Sequence, residues 1–440
     1  HGQAGNAEPT GGYYRQKYKF HKKSIDTRAA IAHNRGIADV RKRHLRRNSM
    51  QGVVVKFGGS SVATPEKIGR IAEGIIKRKE SAGQVVAVVS AMGKTTNGLI
   101  ELSQGICPDP DKRAMDMLLA TGEQVSIALL SMALIARGCP AVALTGWQAG
   151  ILTEDSHMNS RIRCVDTARL QRELDAGNVV VVAGFQGVTQ DDEITTLGRG
   201  GSDTTAVALA ASLGWPCEIY TDVEGIYNID PRLHTGAKKL DEISHSETFE
   251  LSCLGAKVIE PRSVELAAKY GVDLQILLST MDRPGTRITQ KGDIMEQNVV
   301  NKISVLDHLL LVNVEVPPEN TLGKLFARLA DAKVNIDVIS RTPSGREVSF
   351  TTAMESAPDI ARVLDGMQLT HQIKRDNCKV SVVGNAIRTH PGVAARAFNA
   401  FYQHKVPFRQ VSTSEISISF IVDESSKQQA VQALIEAFGL

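Results

Sequence analysis

Apolar positions follow two different rhythms from residue 52 onward. Short β-branched runs, such as "GVVVKF" (52–57) and "VVVVAGF" (179–185), predict buried strands. They alternate with helical segments such as "TPEKIGRIAEGIIKRKE", in which Thr64 is the expected N-cap and Pro65 lies in the first turn. The apolar face of that helix consists of Ile68, Ile71, Ala72, Ile75 and Ile76. This alternation predicts an α/β fold with a mostly parallel sheet between helix layers.

The C-terminal third of the chain has a different pattern, in which one βαββα unit occurs twice. The first copy spans 301–370 and the second spans 376–440. The second copy has no strand after its last helix, and we expect residues 298–306 to supply it. The chain is therefore predicted to hold one large domain over 50–290 and two small α+β domains.

Two shorter elements are predicted by the same periodicities. "CVDTARLQRELDAG" (164–177) has apolar residues at helical spacing, which predicts a helix over its whole length. "VNIDVIS" (334–340) alternates apolar and polar residues and predicts a strand.

Composition narrows the class of protein. Hydrophobic residues make up 42% of the chain and charged residues 22%, which is ordinary for a globular protein. The six cysteines are scattered without zinc-finger spacing, so a reducing, cytoplasmic location is expected. The longest apolar run, 125–136, is interrupted by Ser126 and Ser131 and is shorter than a membrane span. A buried helix, and no membrane partner, is expected.

The net charge of +3 conceals an uneven distribution. Residues 1–49 hold twelve Lys and Arg against three acidic residues, whereas the remainder holds 39 basic against 45 acidic residues. We interpret 1–49 as an expression-derived or disordered tail ahead of a native start at Met50. The alternatives are a nucleic-acid-binding arm and an organellar targeting peptide. Because basic tails are weak signals, no nucleic-acid partner is expected.

Familiar phosphate-binding motifs are missing from the sequence. "MGKTTNG" resembles a P-loop, but Val88 stands where that motif needs its first glycine, and no GxGxxG or GxSxG occurs. "VVVKFGGSS" offers another device, because Lys56 ends a strand and Gly58 and Gly59 begin a turn into a helix. Bare backbone N–H groups at a helix entrance can hold phosphate oxygens. The alternative is a tight turn beside an ordinary strand-end lysine.

"TTLGRGGSDTTAVALAAS" is the second candidate anion site. Arg199 and Asp203 flank Gly200, Gly201 and Ser202 at the start of an alanine-rich helix. This order suits the binding of an anion next to an amine. The alternative is a capped turn without a ligand.

Three more motifs place polar groups where strands end or helices begin. "SAMGKTTNG" offers Ser90 and Thr96, "LLATGEQVS" offers Glu123, and "EIYTDVEGIYNIDPR" offers Thr221, Asp222, Tyr227 and Arg232. Four such turns are predicted at strand ends of one sheet, with two cations (Lys56, Arg199) and two carboxylates (Glu123, Asp203). That balance of charge suits ATP together with a zwitterionic amino acid.

In this order the motifs resemble those of aspartokinases. "VVKFGGSSVATPEKI", "VVSAMGKTT", "TGEQVS", "TTLGRGGSDTTAVALAASL" and "CEIYTDVEGIYNIDPR" carry the resemblance, and the segment from "VSVVGNAIRTHPG" to "STSEISISFIVDE" looks like a second ACT domain. The resemblance runs from about residue 52 to 440. It implies an amino-acid kinase fold followed by two ACT domains, and phosphorylation of the side-chain carboxylate of L-aspartate by ATP and Mg²⁺.

The resemblance also implies roles for individual residues. Lys56 and Asp203 are the implied catalytic residues. The nucleotide side comprises Lys56, Phe57, Gly58, Gly59, Thr221, Asp222, Tyr227, Arg232 and Lys257. The aspartate side comprises Ser90, Thr96, Glu123, Arg199, Gly200, Gly201 and Ser202. No side chain is implied as a dedicated metal ligand, and a carboxylate substrate, already ionised, needs no general base.

Regulation by an amino acid is implied by the paired ACT domains. Lysine, threonine or both are the expected effectors, acting in lysine, threonine and methionine biosynthesis, and a homodimer or higher homo-oligomer is expected. The candidate effector residues are Asn320, Thr321, Gly323, Ser414 and Glu415. Two departures from the family are Glu260, where histidine is frequent, and the first ACT loop "PPENTLG".

Two alternatives remain open at this point. One is another kinase of the same fold, acting on glutamate, acetylglutamate, carbamate or UMP. The other is a non-catalytic amino-acid sensor with a degenerate kinase half.

Overall fold

The computed structural model describes residues 52–256, 258–280, 283–290, 299–317, 321–384 and 387–440. The predicted tail over 1–49 and the candidate residues Lys257 and Asn320 lie outside these ranges. The first twelve strands are β1 (Gly52–Phe57), β2 (Gln84–Val89), β3 (Ala141–Leu144), β4 (Ile151–Thr153), β5 (Ile162–Val165), β6 (Val179–Ala183), β7 (Gln186–Val188), β8 (Ile194–Thr196), β9 (Cys217–Thr221), β10 (Glu242–Ser244), β11 (Leu274–Leu278) and β12 (Thr286–Thr289).

Eight of these strands form one large sheet in the order β10-β12-β11-β9-β1-β2-β6-β3. All neighbours in this sheet are parallel except β11 and β12. The predicted α/β class with a mostly parallel sheet is thereby confirmed. β1 lies in the middle of the sheet, so its carboxyl end opens between the ends of β9 and β2.

Eight helices are described in this part of the chain, and all but the second and third contribute side chains to the two cores on the faces of the sheet. They are α1 (Pro65–Ala82), α2 (Thr95–Ile106), α3 (Lys112–Leu119), α4 (Thr121–Ile135), α5 (Ala168–Asp175), α6 (Gly201–Leu213), α7 (His245–Cys253) and α8 (Pro261–Tyr270). Side chains alternate between faces along a strand. Val53 and Val55 therefore pack into one core with residues of α1 and α4, while Val54 packs into another with residues of α6 and α8. The predicted cap of α1 is confirmed, because Thr64 accepts a hydrogen bond from the Lys67 N–H.

The strand that leads into the Arg199 turn belongs to a separate sheet. β8 lies at one edge of a four-stranded sheet in the order β5-β4-β7-β8. The expectation that all four turns lie at strand ends of one sheet is therefore wrong for this motif. The hairpin of β7 and β8, paired antiparallel, instead carries the chain from one sheet to the first turn of α6.

Two predicted elements differ in extent from the structure. The helix predicted over 164–177 begins only at Ala168, because Cys164 and Val165 pair antiparallel with β4. The strand predicted over 334–340 is limited to Ile339–Arg341. The hydroxyl of Thr351 accepts the N–H of Val338, so the regular ladder starts one residue later.

The remaining strands form a six-stranded antiparallel sheet in the order β14-β15-β13-β16-β18-β17. They are β13 (Lys302–Glu315), β14 (Ile339–Arg341), β15 (Glu347–Ala353), β16 (His371–Val383), β17 (Gln410–Thr413) and β18 (Ser417–Asp423). The helices are α9 (Thr321–Asp331), α10 (Ala357–Gly366), α11 (Val393–Gln403) and α12 (Lys427–Phe438). Two separate cores lie beneath them, one with α9 and α10 and one with α11 and α12.

β13 and β16 run through both βαββα copies. The C-terminal part of β13 pairs with β15, whereas Lys302–Leu306 pairs with Lys379–Val383 of β16. His308 and Asp376 have positive φ where the register shifts. Each copy thus receives its fourth strand from the long strand that begins the other copy. The predicted divide between 370 and 376 falls inside β16, and Asn298 of the predicted completing segment lies outside the described residues.

One stretch of the described chain, Lys112–Ile135, is long and apolar enough to cross a membrane by length and composition. It consists of α3 and α4. Half of its most apolar part is buried, and Ile127, Leu130 and Leu134 pack against the sheet core. We therefore interpret this stretch as core helices with an exposed outer face.

Candidate active site

The turn after β1 packs directly on the turn after β2. The N–H of Gly93 donates to the carbonyl of Gly59 over 3.0 Å. A Cβ atom on Gly59 would lie 2.7 Å from the carbonyl oxygen of Ala91, so only glycine fits there. Gly58 is more open, and a Cβ atom on it would lie 3.7 Å from the ammonium nitrogen of Lys56. The ammonium group of Lys56 therefore lies close to the two glycines, whose backbone no side chain of their own covers.

Lys56 faces a carboxylate from the opposite element. Its ammonium nitrogen lies 2.5 Å from Oδ1 of Asp203, in the first turn of α6, and the two side chains are 12% and 11% exposed. The helix begins after Gly200, whose φ of 64° is left-handed. The Gly200 carbonyl accepts the N–H of Asp203 over 3.0 Å. This geometry aims the aspartate at the end of β1.

The Arg199 turn has a buried side and an exposed side. Ser202 is buried against Gly184, where a Cβ atom would lie 2.7 Å from the Ser202 hydroxyl oxygen. Gly201 is equally confined, since a Cβ atom would meet Phe185 at 2.9 Å. Arg199, by contrast, is exposed and forms no hydrogen bond or ion pair with any residue that the structure describes. Its guanidinium group is thus available to an anion outside the chain.

Glu123 is a buried carboxylate in the first turn of α4. Its Oε1 accepts the N–H of Ala91 over 3.1 Å, and its Oε2 has no partner among the described residues. Burial raises the pKa of this carboxyl to about 7, against the opposing effect of backbone hydrogen bonds. Ser90 lies one residue before Ala91 and is held by a bond from the Ser126 hydroxyl to its carbonyl. Thr96 is half-buried in the first turn of α2.

The loop after β9 is joined to the turn after β1 by two serines. The hydroxyls of Ser61 and Ser279 lie 2.6 Å apart, and Ser279 donates from its hydroxyl and its N–H to the carbonyl of Thr221. Thr221 itself donates to Asp222 over 3.1 Å. Neither serine was predicted, because a lone serine has no spacing signal and Ser279 lies far away in sequence.

Three residues predicted on the nucleotide side have side-chain partners within the chain. The ring of Phe57 is fully buried and stacks on Tyr220 with centroids 4.9 Å apart, so only its backbone faces the site. Arg232 is 84% exposed and forms an ion pair with Asp230 at 2.5 Å. The hydroxyl of Tyr227 lies 3.5 Å from a carboxylate oxygen of Glu224, a weak hydrogen bond that leaves the ring half-buried.

Glu260 lies against the Arg199 turn. A Cβ atom on Gly200 would come within 2.4 to 2.6 Å of the Glu260 side chain. Burial and the charge of Asp203 raise the pKa of Glu260, while Arg262 and Arg199 oppose this shift. The described residues contain no cluster of three or more His, Cys, Asp or Glu that could hold a metal ion. A magnesium ion bound mainly through nucleotide phosphates would still fit beside the single carboxylate of Asp203.

The candidate effector residues that the structure describes lie in two places, the start of α9 and the loop between β17 and β18. Thr321 and Gly323 are in the first turn of α9. The hydroxyl of Ser414 donates to Glu250 of α7 over 2.9 Å, and Ser417 donates to the same oxygen over 2.6 Å. Glu415 instead forms an exposed ion pair with Arg388. The Ser414 loop thus touches the helix layer of the large domain.

Comparison with known proteins gives consistent matches. A model of the amino acid kinase family matches residues 51–277, and a model of the ACT domain matches residues 380–438. Aspartokinase from Geobacillus stearothermophilus is 45% identical over 395 residues, covering 88% of this chain and 97% of that protein. Aspartokinase 2 from Bacillus subtilis (strain 168) is 46% identical over 399 residues, covering 88% and 98%.

A solved structure agrees at the level of the fold. E. coli aspartokinase III, crystallised with aspartate and ADP in its R-state, matches with a TM-score of 0.75 and 23% identity. The match covers 89% of this chain and all of that chain.

Proposed function

The chain belongs to the aspartokinase family, and we propose that the site between β1 and α6 carries out the family's reaction. The enzyme transfers the γ-phosphoryl group of ATP to the side-chain carboxylate of L-aspartate, giving 4-phospho-L-aspartate and ADP. This is the first step of lysine, threonine and methionine biosynthesis. The observation that carries the assignment is the Lys56–Asp203 pair, which lies between a glycine turn and Arg199, an exposed arginine with no ion pair to any described residue.

On the nucleotide side, Lys56 and the backbone N–H groups at Gly58 and Gly59 bind the phosphates of ATP. A point charge over bare amides suits oxygens that gain charge as the phosphoryl group leaves. The loop after β9 borders the rest of the nucleotide. The proposed contacts of the nucleotide in this loop are Thr221, Asp222, Tyr227 and Arg232. Lys257 and the backbone of Phe57 are further proposed contacts from outside the loop.

On the aspartate side, Arg199 binds the α-carboxylate through its planar fork. Glu123 receives the ammonium group, because one of its oxygens is a buried acceptor that has no hydrogen-bond donor among the described residues. Ser90, Thr96 and the turn at Gly200 and Gly201 complete the aspartate side, while Ser202 and Asp203 orient the reacting groups. These assignments support an unblocked amino acid as substrate.

The reaction then needs alignment rather than acid–base chemistry. A side-chain carboxylate oxygen attacks the γ-phosphorus, and the bond from that phosphorus to the bridging β-phosphate oxygen breaks. The carboxylate is ionised at neutral pH, so no proton must be removed. Lys56 neutralises charge on the transferred group. Mg²⁺ would bind to the nucleotide phosphates beside Asp203 and shield their charge.

We also propose the domain assignment and the regulation. The kinase domain spans 50–290, and the ACT domains span 301–370 and 376–440, the second completed from 298–306. Lysine, threonine or both bind near Asn320, Thr321, Gly323, Ser414 and Glu415 and inhibit the enzyme. The enzyme acts in the cytoplasm as a homodimer or a higher homo-oligomer.

A hydroxamate assay with ATP and Mg²⁺ tests this function. Hydroxylamine traps an acyl phosphate, so the signal reports carboxylate phosphorylation directly. Aspartate should give product, whereas glutamate and acetylglutamate should give little. A signal with another carboxylate alone would reassign the substrate. No signal with any carboxylate, in a protein that binds lysine or threonine, would indicate a sensor.

A further inference from the structure

Asp116 is a fully buried carboxylate that the proposed reaction does not use. It lies in α3, outside every predicted motif. It accepts hydrogen bonds from the Thr196 hydroxyl at 2.5 Å, from Nδ1 of His157 at 2.7 Å and from the Met158 N–H at 3.1 Å. A buried charge is costly unless its oxygens are satisfied, and here three donors satisfy them.

The donors of Asp116 come from the two segments on which the Arg199 turn rests. Thr196 ends β8, three residues before Arg199. Its carbonyl accepts the N–H of Ser160 over 2.8 Å, which joins β8 to the loop containing His157. A Cβ atom on Gly198 would lie 2.8 Å from Oδ1 of Asn159, so this loop also touches the turn itself.

Arg262 holds the same two segments from the other side. Its guanidinium group donates to the carbonyl of Leu197 over 3.0 Å and to the carbonyl of Ser160 over 2.8 Å. A planar fork that joins two carbonyls fixes their separation. Asp116 and Arg262 together therefore hold the chain immediately before the turn at two consecutive residues, Thr196 and Leu197.

We propose that Asp116 is a positioning residue for aspartate binding, acting through Thr196 and the 157–160 loop on the turn that carries Arg199. The proposal rests on the proposed function, in which Arg199 binds the α-carboxylate. Arg199 has no hydrogen bond of its own within the described chain, so its position depends on the backbone beneath it. Loss of one bond to Asp116 would let the turn shift, and a shift of about 1 Å in a positioning group can cost on the order of 10²-fold in rate.

The test compares Michaelis constants for the two substrates in Asp116→Asn and Thr196→Val. Asparagine keeps one acceptor oxygen but presents an amide that cannot accept from all three donors. Valine keeps the shape of threonine and removes only the hydroxyl. We expect each variant to raise the KM for aspartate roughly tenfold, with the KM for ATP within about twofold of wild type. A loss of folded protein alone would lower the apparent kcat and leave the KM for aspartate and the KM for ATP unchanged.

Arg113→Gln is the matched control. Arg113 lies on the same helix as Asp116 and forms an exposed ion pair with Glu193, next to β8. It joins α3 to the residue just before β8 without touching the buried carboxylate, so both Michaelis constants should stay at the wild-type value. If Asp116→Asn does not fold, Thr196→Val with this control decides the outcome.

Arg199→Lys separates this proposal from the proposed function. If Arg199→Lys raises the KM for aspartate and folded Thr196→Val does not, the positioning role is overturned and the substrate assignment stands. If neither variant changes that constant, Arg199 does not bind aspartate and both proposals fail. An equal rise in both constants for Thr196→Val would also overturn the positioning role.

Discussion

The ammonium group of Lys302 lies 2.6 Å from the carboxylate of Glu247, and both side chains are more than nine-tenths buried. Lys302 begins β13 of the six-stranded sheet, whereas Glu247 lies in α7 of the kinase domain. Burial alone would raise the pKa of Glu247, but Lys302 and Ser244 together hold it below its ordinary value. The two parts of the chain are thus joined by a desolvated ion pair.

Replacing Lys302 with methionine should destabilise the protein strongly. Glu247 would then be buried without its counter-charge, at a cost of about 3–5 kcal/mol. Urea unfolding of Lys302→Met measures this as a lower midpoint. The double variant Lys302→Met/Glu247→Gln removes both charges and should recover most of the loss. A single variant as stable as wild type would show that the pair contributes nothing.

The raised pKa of Glu123 predicts how aspartate use depends on pH. Below a pH of about 7 the carboxyl is protonated and cannot attract the substrate ammonium group. The kcat/KM for aspartate should therefore rise with pH through about 7 and then level off, because this ratio reports ionisations of the free enzyme. Glu123→Gln should lower the plateau and abolish the rise. The same rise in Glu123→Gln would assign it to another group.

Arg199→Lys should raise the KM for aspartate far more than the KM for ATP. Lysine keeps the charge but lacks the planar fork that binds a carboxylate through two hydrogen bonds. Steady-state kinetics with each substrate varied in turn measures the difference. An equal rise in the KM for aspartate and the KM for ATP would indicate that Arg199 contacts the nucleotide instead.

Ser414→Phe should relieve inhibition without harming basal catalysis. Its hydroxyl donates to Glu250 of α7, so the bulkier side chain breaks a contact between the effector loop and the kinase domain. Allosteric coupling of about 1–3 kcal/mol corresponds to roughly 5–150-fold inhibition. Activity is measured against lysine and threonine, singly and together, for the wild type and for Ser414→Phe. Wild-type activity unaffected by either amino acid would contradict the regulatory proposal.

The parts of the fold that were predicted well have local causes. Thr64 and Pro65 mark the start of α1 within a single turn, and the run of β-branched valines in β1 favours a buried strand. Once β1 is recognised, the position of its carboxyl end is known as well. Lys56 and Gly59 lie at that end, so their place in the site could be predicted. Periodicity also identified the two βαββα copies, because each helix in them has one apolar face.

The parts that were missed depend on distant partners. Asp116 meets donors 41, 42 and 80 residues away, and no spacing in the sequence connects them. The strand at Cys164 forms because β4 pairs with it, although its own periodicity is helical. The exchange of fourth strands through β13 and β16 likewise depends on pairing across the sheet.

The central claim is that Lys56 stabilises the phosphoryl group during its transfer to aspartate. The most direct test is the turnover of Lys56→Ala in the aspartate hydroxamate assay, at saturating ATP and aspartate. Loss of one preorganised charge at the transferred group should lower kcat by about 10²–10³-fold, with turnover expressed per mole of folded protein as measured by circular dichroism. A folded Lys56→Ala enzyme with wild-type turnover would contradict the account.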